Sequence, residues 1–283
     1  MFERALVPLD GSEDGWIALE QAIKVAKAEE NGRIQGLFVL DTRLIEDPYY
    51  LATDPYDLLP RGGPDVVPLL LEFEKRLNEL GEAVLARAAE RCGRAGVAFE
   101  GELARGLVPR VILERAQEHD LIVMGRHGAG GKRAGPLLGS TFEAVVRRAP
   151  VPVLAPHFET SPMKRLLLAY DGSEPAQKAL HIAAHWAQRH EAVVVLLTVD
   201  DGGGRAHDAY AEGKAKLEAL GVSFDPRMRE GHPAEIVLEV AQEEACDLIA
   251  LGAYGHRRFL EIFFGGTVEE VVRHAPQAVL IAR

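Results

Sequence analysis

Two glycine patterns in this chain have the spacing of a phosphate-holding loop. Gly125-Arg126-His127-Gly128 is followed by ten residues and then Gly139-Ser140-Thr141, and Gly252-Ala253-Tyr254-Gly255 by nine and then Gly265-Gly266-Thr267. Glycine admits positive φ and lets a backbone approach a ligand closely. A helix that opens on such a loop turns unbonded N–H groups and the positive end of its dipole toward an anion. Gly125 and Gly128 are therefore expected to supply positive φ and close approach, and Gly139, Ser140 and Thr141 a helix start. A lone Gly-x-x-Gly is commonly a plain turn, but two copies in register within one chain mark a repeat.

The elements that must position these loops repeat as well. Apolar runs, Leu121–Met124 and Leu248–Leu251, precede the glycines, and amphipathic stretches follow them. Upstream, Arg4–Asp10 and Leu166–Asp171 read as buried strands that end in Asp-Gly-Ser, each turning into a helix. Between these landmarks the first half predicts strands at Arg33–Leu40 and Val97–Leu103, with helices at Leu71–Arg91 and Pro109–Glu118. The second predicts strands at Val193–Val199 and Val222–Met228, with helices at His207–Leu220 and Pro233–Glu243. Closing strands fall at Val151–Ala155 and Ala278–Ala282. Strands alternating with helices give an α/β fold of two tandem doubly wound domains with parallel sheets covered on both faces. The domains are expected at 1–157 and 163–283, joined through His157–Met163. Asp171 follows Asp10 by 161 residues but Gly252 follows Gly125 by 127, so the second half is 34 shorter. The extra length lies largely in Asp41–Leu70, which holds five of 16 prolines and three of six tyrosines and reads as a loop or broken helix. Its place beyond the strand ends makes it a candidate lid.

Other signals carry two readings or are set aside. Asp10 and Asp171 either contact a ligand or only cap the following turn, as Ser12 and Ser173 do. His127 offers an imidazole to phosphate, yet Tyr254 at the matching place shows that the shared architecture does not require one. Arg126, Lys132 and Arg133, with His256, Arg257 and Arg258 in the second copy, neutralise phosphate or are solvated loop charges. Gly130-Gly131-Lys132 is not a P-loop, because Arg133 stands where Ser or Thr must follow. His181 and His185 share a helical face without a zincin pattern or a third ligand. A net charge of −11 argues against nucleic acid and anionic membranes as partners. No apolar run is long enough to span a bilayer and the start resembles a strand, so a cytoplasmic location is expected. Cys92 and Cys246 occupy non-equivalent places and are read as packed or idle thiols.

The signatures Val7-Pro8-Leu9-Asp10-Gly11-Ser12 and Ala169-Tyr170-Asp171-Gly172-Ser173, each paired with its glycine loop, resemble those of the universal stress protein family in tandem. The resemblance covers nearly the whole chain and points to the ATP-binding branch. It implies a five-stranded sheet of order 3-2-1-4-5 in each half and ATP at the point between first and fourth strands where the order reverses. It places adenosine among Pro8, Asp10, Val39 and Met124, and phosphates along Gly125, His127, Gly128, Gly139, Ser140 and Thr141. The matching second set is Ala169, Asp171, Thr198, Leu251, Gly252, Gly255, Gly265, Gly266 and Thr267. The first loop departs from the family spacing by one extra residue, and Gly266 stands in place of serine. Magnesium or manganese would ride mainly on the phosphates, with no metal site of the protein's own. The resemblance also implies pairing through the fifth strands, here an internal pseudo-dimer, with a further homodimer compatible. No catalytic base, nucleophile or metal cluster is recognisable beside the loops. The leading expectation is thus a nucleotide-dependent switch in stress response acting on an unknown protein partner. The alternatives are a slow magnesium-dependent ATP hydrolase and a nucleotide-independent scaffold.

Overall fold

The computed structural model describes residues 1–46, 66–129, 138–156, 163–253 and 266–283. It divides into a unit of Phe2–Arg148 and a unit of Ala149–Arg283 that also takes Met1. The first unit runs β1 (Arg4–Pro8), α1 (Glu13–Ala28), β2 (Arg33–Asp41), α2 (Thr42–Glu46), α3 (Val66–Ala95), β3 (Ala98–Gly106), α4 (Val108–Ala116), β4 (Leu121–Val123) and α5 (Ser140–Arg148). Its strands pair in parallel in the order β3-β2-β1-β4. The second unit begins with β5 (Val153–Ala155) and continues β6 (Arg165–Ala169), α6 (Glu174–His190), β7 (Val193–Asp200), α7 (Ala206–Ala219), β8 (Phe224–Glu230), α8 (Pro233–Glu243), β9 (Leu248–Gly252), α9 (Gly266–His274) and β10 (Ala278–Ala282). Its parallel order is β8-β7-β6-β9-β10.

The expected α/β architecture and the 3-2-1-4 arrangement around each first strand are present. β5 pairs antiparallel with β10, Leu154 opposite Leu280, so the strands closing each half meet. Runs such as Leu166-Leu167-Leu168 and Val279-Leu280-Ile281 are buried on both faces of the sheet, which is why they read as continuous apolar stretches. Each such side chain contributes about 1.5–3 kcal/mol relative to exposure.

Helix starts follow local chemistry. Ser12 caps α1 by accepting from the Gly15 N–H at 3.1 Å, and Ser173 caps α6 by accepting from the Ala176 N–H at 3.2 Å. Such caps are worth about 1 kcal/mol each. The residue before each cap needs glycine, because φ is +79° at Gly11 and +76° at Gly172. On the outer face α3 is fastened to α1 by Trp16, whose ring lies 4.7 Å from the guanidinium carbons of both Arg87 and Arg91.

Helix α3 starts at Val66 rather than Leu71, with Pro68 in its first turn, where a missing N–H costs nothing. The expected irregular stretch therefore contains α2 and the start of α3, and its centre, 47–65, lies outside the described residues, as does the proposed lid. Of the expected linker only Met163 is described, buried at 1% exposure with φ +52°. Both thiols are packed, as expected. Burial pushes Cys92 up to about 11 and Cys246 up to about 12.

Candidate nucleotide site

At the carboxyl end of the first sheet, β1 lies between β2 and β4, with Pro8 opposite Leu37 and Leu6 opposite Ile122. This register brings Pro8, Asp10, Val39 and Met124 to adjoining strand ends although they are distant in sequence. Pro8 and Val39 are half-buried and Met124 is buried.

Asp10 does more than turn the chain. Its Oδ1 accepts from the Ser12 N–H at 2.9 Å, the capping role, and its Oδ2 accepts from the Ala129 N–H at 2.8 Å. The second bond ties the end of β1 to the glycine loop. Asp171 repeats the first bond, to the Ser173 N–H at 2.9 Å; the loop it would reach, including Tyr254, Gly255, His256, Arg257, Arg258 and Gly265, lies outside the described residues.

The loop closes on itself at Gly139, whose N–H donates to the Arg126 carbonyl at 2.9 Å, while its own carbonyl accepts from the Glu143 N–H at 3.0 Å. Helix α5 therefore begins at the loop mouth, with the N–H groups of Ser140 and Thr141 as first-turn donors that have no partner among the described residues. Ser140 is exposed and Thr141 half-buried. Residues 130–137, with Lys132 and Arg133, lie outside the described residues.

The glycines act through space rather than φ, which corrects the expectation of positive φ at Gly125 and Gly128: neither they nor Gly139 is in the left-handed region. A Cβ on Gly125 would stand 2.5 Å from the Asp14 Cβ, and one on Gly252 would stand 2.5 Å from the Ala176 nitrogen and the Pro175 carbonyl carbon. In both halves, then, this glycine lets the strand end press on the start of that half's first helix, α1 or α6. A Cβ on Gly128 would lie 2.9 Å from Asp10 Oδ2, and one on Gly139 3.2 Å from the Arg126 oxygen. A Cβ on Gly266, which opens α9, meets nothing within 4 Å among the described residues. None of those residues excludes the serine missing there.

The second sheet aligns Ala169 with Leu197 on one side and Leu251 on the other. Ala169, Asp171, Leu251 and Gly252 thus gather as their first-half counterparts do, with Gly266 and Thr267 at the start of α9. Thr198 does not belong with Val39. Since Pro8 pairs with Leu37 and Ala169 with Leu197, Thr198 corresponds to Phe38 and Val199 to Val39. Phe38 faces Gly81 of α3, and Thr198 is likewise buried, at 1% exposure, whereas Val39 and Val199 are half-buried. The one-residue offset turns the threonine to the opposite face.

Three polar side chains meet where sequence reading found no catalytic constellation. His127 donates to Asp14 Oδ2 twice, from its backbone N–H at 3.0 Å and from Nδ1 at 3.0 Å. Beside them Arg126 is buried at 1% exposure. Burial pushes its guanidinium down to about 9, against the pull of the Asp14 carboxylate, and it remains a cation at neutral pH. Asp14 and His127 are 113 positions apart, and the close approach of Gly125 to Asp14 brings them together in the fold. Elsewhere, His232, Glu235 and Glu270 bring ligand-type atoms within 4.8 Å of one another between α8 and α9, a largely exposed group absent from the first half, where Leu107, Arg110 and Ala144 stand. Among the described residues no helix is long and apolar enough to cross a membrane.

Comparison with known proteins agrees with this arrangement. A universal stress protein of Synechocystis sp. is 28% identical over 218 residues, covering 75% of this chain and 76% of that protein. One of Thermus aquaticus is 33% identical over 135 residues, 42% of this chain and 98% of that protein. The crystal structure of a universal stress protein from Archaeoglobus fulgidus superposes with a TM-score of 0.76 at 24% identity, covering 99% of this chain and 96% of that one, a likeness of fold. The model of the universal stress protein family matches residues 1–156 and again 162–283. The chain belongs to the universal stress protein family, which it contains twice.

Proposed function

We propose that each half binds ATP at its strand-order reversal, with magnesium or manganese carried on the phosphates, and that occupancy switches association with a partner protein. The observation that carries this reading is the closure of the first loop by the Gly139 N–H and the Arg126 carbonyl, which leaves the Ser140 and Thr141 donors facing outward at the start of α5. A phosphate there gains about 0.3–1 kcal/mol from the helix dipole and up to about 2 where partly buried. That alone is too weak to hold a nucleotide, so the adenosine must contribute burial against Pro8, Val39 and Met124 in the first half, and against Ala169, Val199 and Leu251 in the second. Gly128 and Gly139 keep side chains out of the loop mouth, where a Cβ would stand 2.9 Å from Asp10 Oδ2 and 3.2 Å from the Arg126 oxygen. The hydroxyls of Ser140 and Thr141, at the start of α5, would be available to a phosphate-bound cation; when bound, that cation offsets phosphate charge.

Calorimetric titration of nucleotide-free protein with ATP and magnesium tests this, alongside Gly139→Val and Gly266→Val. Two binding events, each weakened by its own substitution, are expected. Folded protein that takes up no ATP would leave a tandem scaffold instead. Pull-down of partners with and without ATP, and sedimentation of the same samples for self-association, then test the switch.

A further inference from the structure

We propose that Asp14 and His127 form a proton-accepting pair that confines ATP hydrolysis to the first half of the chain. This rests on the ATP reading of the first site and assigns it a reaction.

The geometry orients one ring nitrogen. A carboxylate can only accept, so Nδ1 of His127, 3.0 Å from Asp14 Oδ2, carries a proton. The neutral ring then has its lone pair on Nε2, which has no partner among the described residues. The backbone N–H of His127 donates to the same oxygen, fixing the main chain as well as the ring. The pair sits between Gly125 and the Ala129 N–H that Asp10 pins, and its side chains are 31% and 27% exposed, so the ring is held yet open to solvent. Nucleophile-activating histidines are built this way, with a third group holding tautomer and aim.

The second half is an internal control. Its Asp-Gly-Ser turn, serine cap and glycine-to-helix contact reproduce those of the first, but Pro175, Ala253 and Tyr254 stand where Asp14, Arg126 and His127 do. The same contact therefore closes without a charge. Burying an arginine beside a carboxylate carries a desolvation penalty that packing alone does not require, and all three members are present in one half and absent from the other. A charged group that the fold does not need is best accounted for by chemistry.

In the step assigned here, a water oxygen attacks the γ-phosphorus and forms the new P–O bond. The bond from phosphorus to the β,γ-bridging oxygen breaks, and ADP leaves with that electron pair. The water proton passes to Nε2 of His127, while Asp14 holds Nδ1–H and stabilises the imidazolium. The proton then returns to solvent, and ATP and water have become ADP and phosphate. His127 is the proton acceptor and Asp14 a positioning residue, with the buried Arg126 beside the pair.

The test measures phosphate release by the full chain with magnesium-ATP, with ATP affinity measured calorimetrically on the same samples. For His127→Gln the expected result is a fall in kcat of about tenfold to 10²-fold, larger than any accompanying loss of first-site affinity. Asp14→Asn should lower kcat as well, and added imidazole should partly restore turnover to His127→Gly, which a merely structural role would not allow. Parental turnover in His127→Gln, or no phosphate release by a parent that binds ATP at the first site, would overturn the assignment while leaving ATP binding intact. Absence of ATP binding by the folded parent would remove both readings.

Discussion

Asp10 Oδ2 and the Ala129 N–H, 119 positions apart, meet at 2.8 Å, and through this bond the end of the first strand holds the glycine loop. With Oδ1 committed to Ser12, one carboxylate sets the helix start and the loop position together. Asp10→Asn would set an amide donor against one of the two N–H groups. Hydrogen bonds to charged groups are worth about 1.5–3 kcal/mol. A loss of that order is expected in urea unfolding, with weaker first-site ATP binding. The equivalent Asp171→Asn should leave the first site untouched.

Gly125→Ala and Gly252→Ala place a Cβ 2.5 Å from atoms of α1 and α6, mostly backbone that cannot swing away. Overpacking of this kind costs about 1–3 kcal/mol, and thermal melts should fall for both. Gly266→Ala is the contrast, because its Cβ meets open space among the described residues. Removing a helical glycine there should be neutral or stabilise by up to about 1 kcal/mol. Gly266→Ser should be equally tolerated and should tighten ATP binding in the second half. Destabilisation by either Gly266 substitution would contradict the open space.

These contrasts mark what could be read from sequence. The helix Pro233–Glu243 and the strand Ala278–Ala282 have the bounds expected from periodicity and flanking turn residues. The Asp-Gly-Ser turns were equally legible, since capping is local. Thr198 was misplaced because a strand offset by one residue looks the same in composition yet reverses its faces. The Asp14–His127 pair was invisible for a different reason: it is made by a tertiary approach that a glycine permits, and nothing at Asp14 distinguishes it from an ordinary first-turn acid. Gly125 was recognised, but for φ rather than for the helix pressed against it.

Acid stability of the second unit should depend on Glu244. It accepts from Arg227 Nε at 2.8 Å and pairs with Arg165, and these guanidiniums hold its carboxyl below the ordinary 4.5. The unfolded chain therefore takes up this proton first as pH falls. The stabilisation is complete above about pH 4.5 and is lost as pH drops through the lower folded value. Glu244→Gln should lower stability near neutral pH by an amount that shrinks below about pH 4.5. A difference that stays constant into acid would show the pairs to be idle.

The thiols offer a check on packing. With Cys92 pushed up to about 11 and Cys246 to about 12 by burial, little thiolate forms at mildly alkaline pH. The folded protein should resist alkylation by iodoacetamide at pH about 8 and react at both sites in denaturant. Rapid labelling of native protein would show that one thiol is not enclosed.

The antiparallel pairing of β5 with β10 has a kinetic corollary. Where such strands belong to separate molecules, their meeting is bimolecular and is undone by dilution. Here both lie on one polypeptide, so each strand experiences a fixed local concentration of the other, set by the intervening chain. The pairing is therefore as complete in a trace amount of protein as in a concentrated solution, and changes in expression level leave it unaltered.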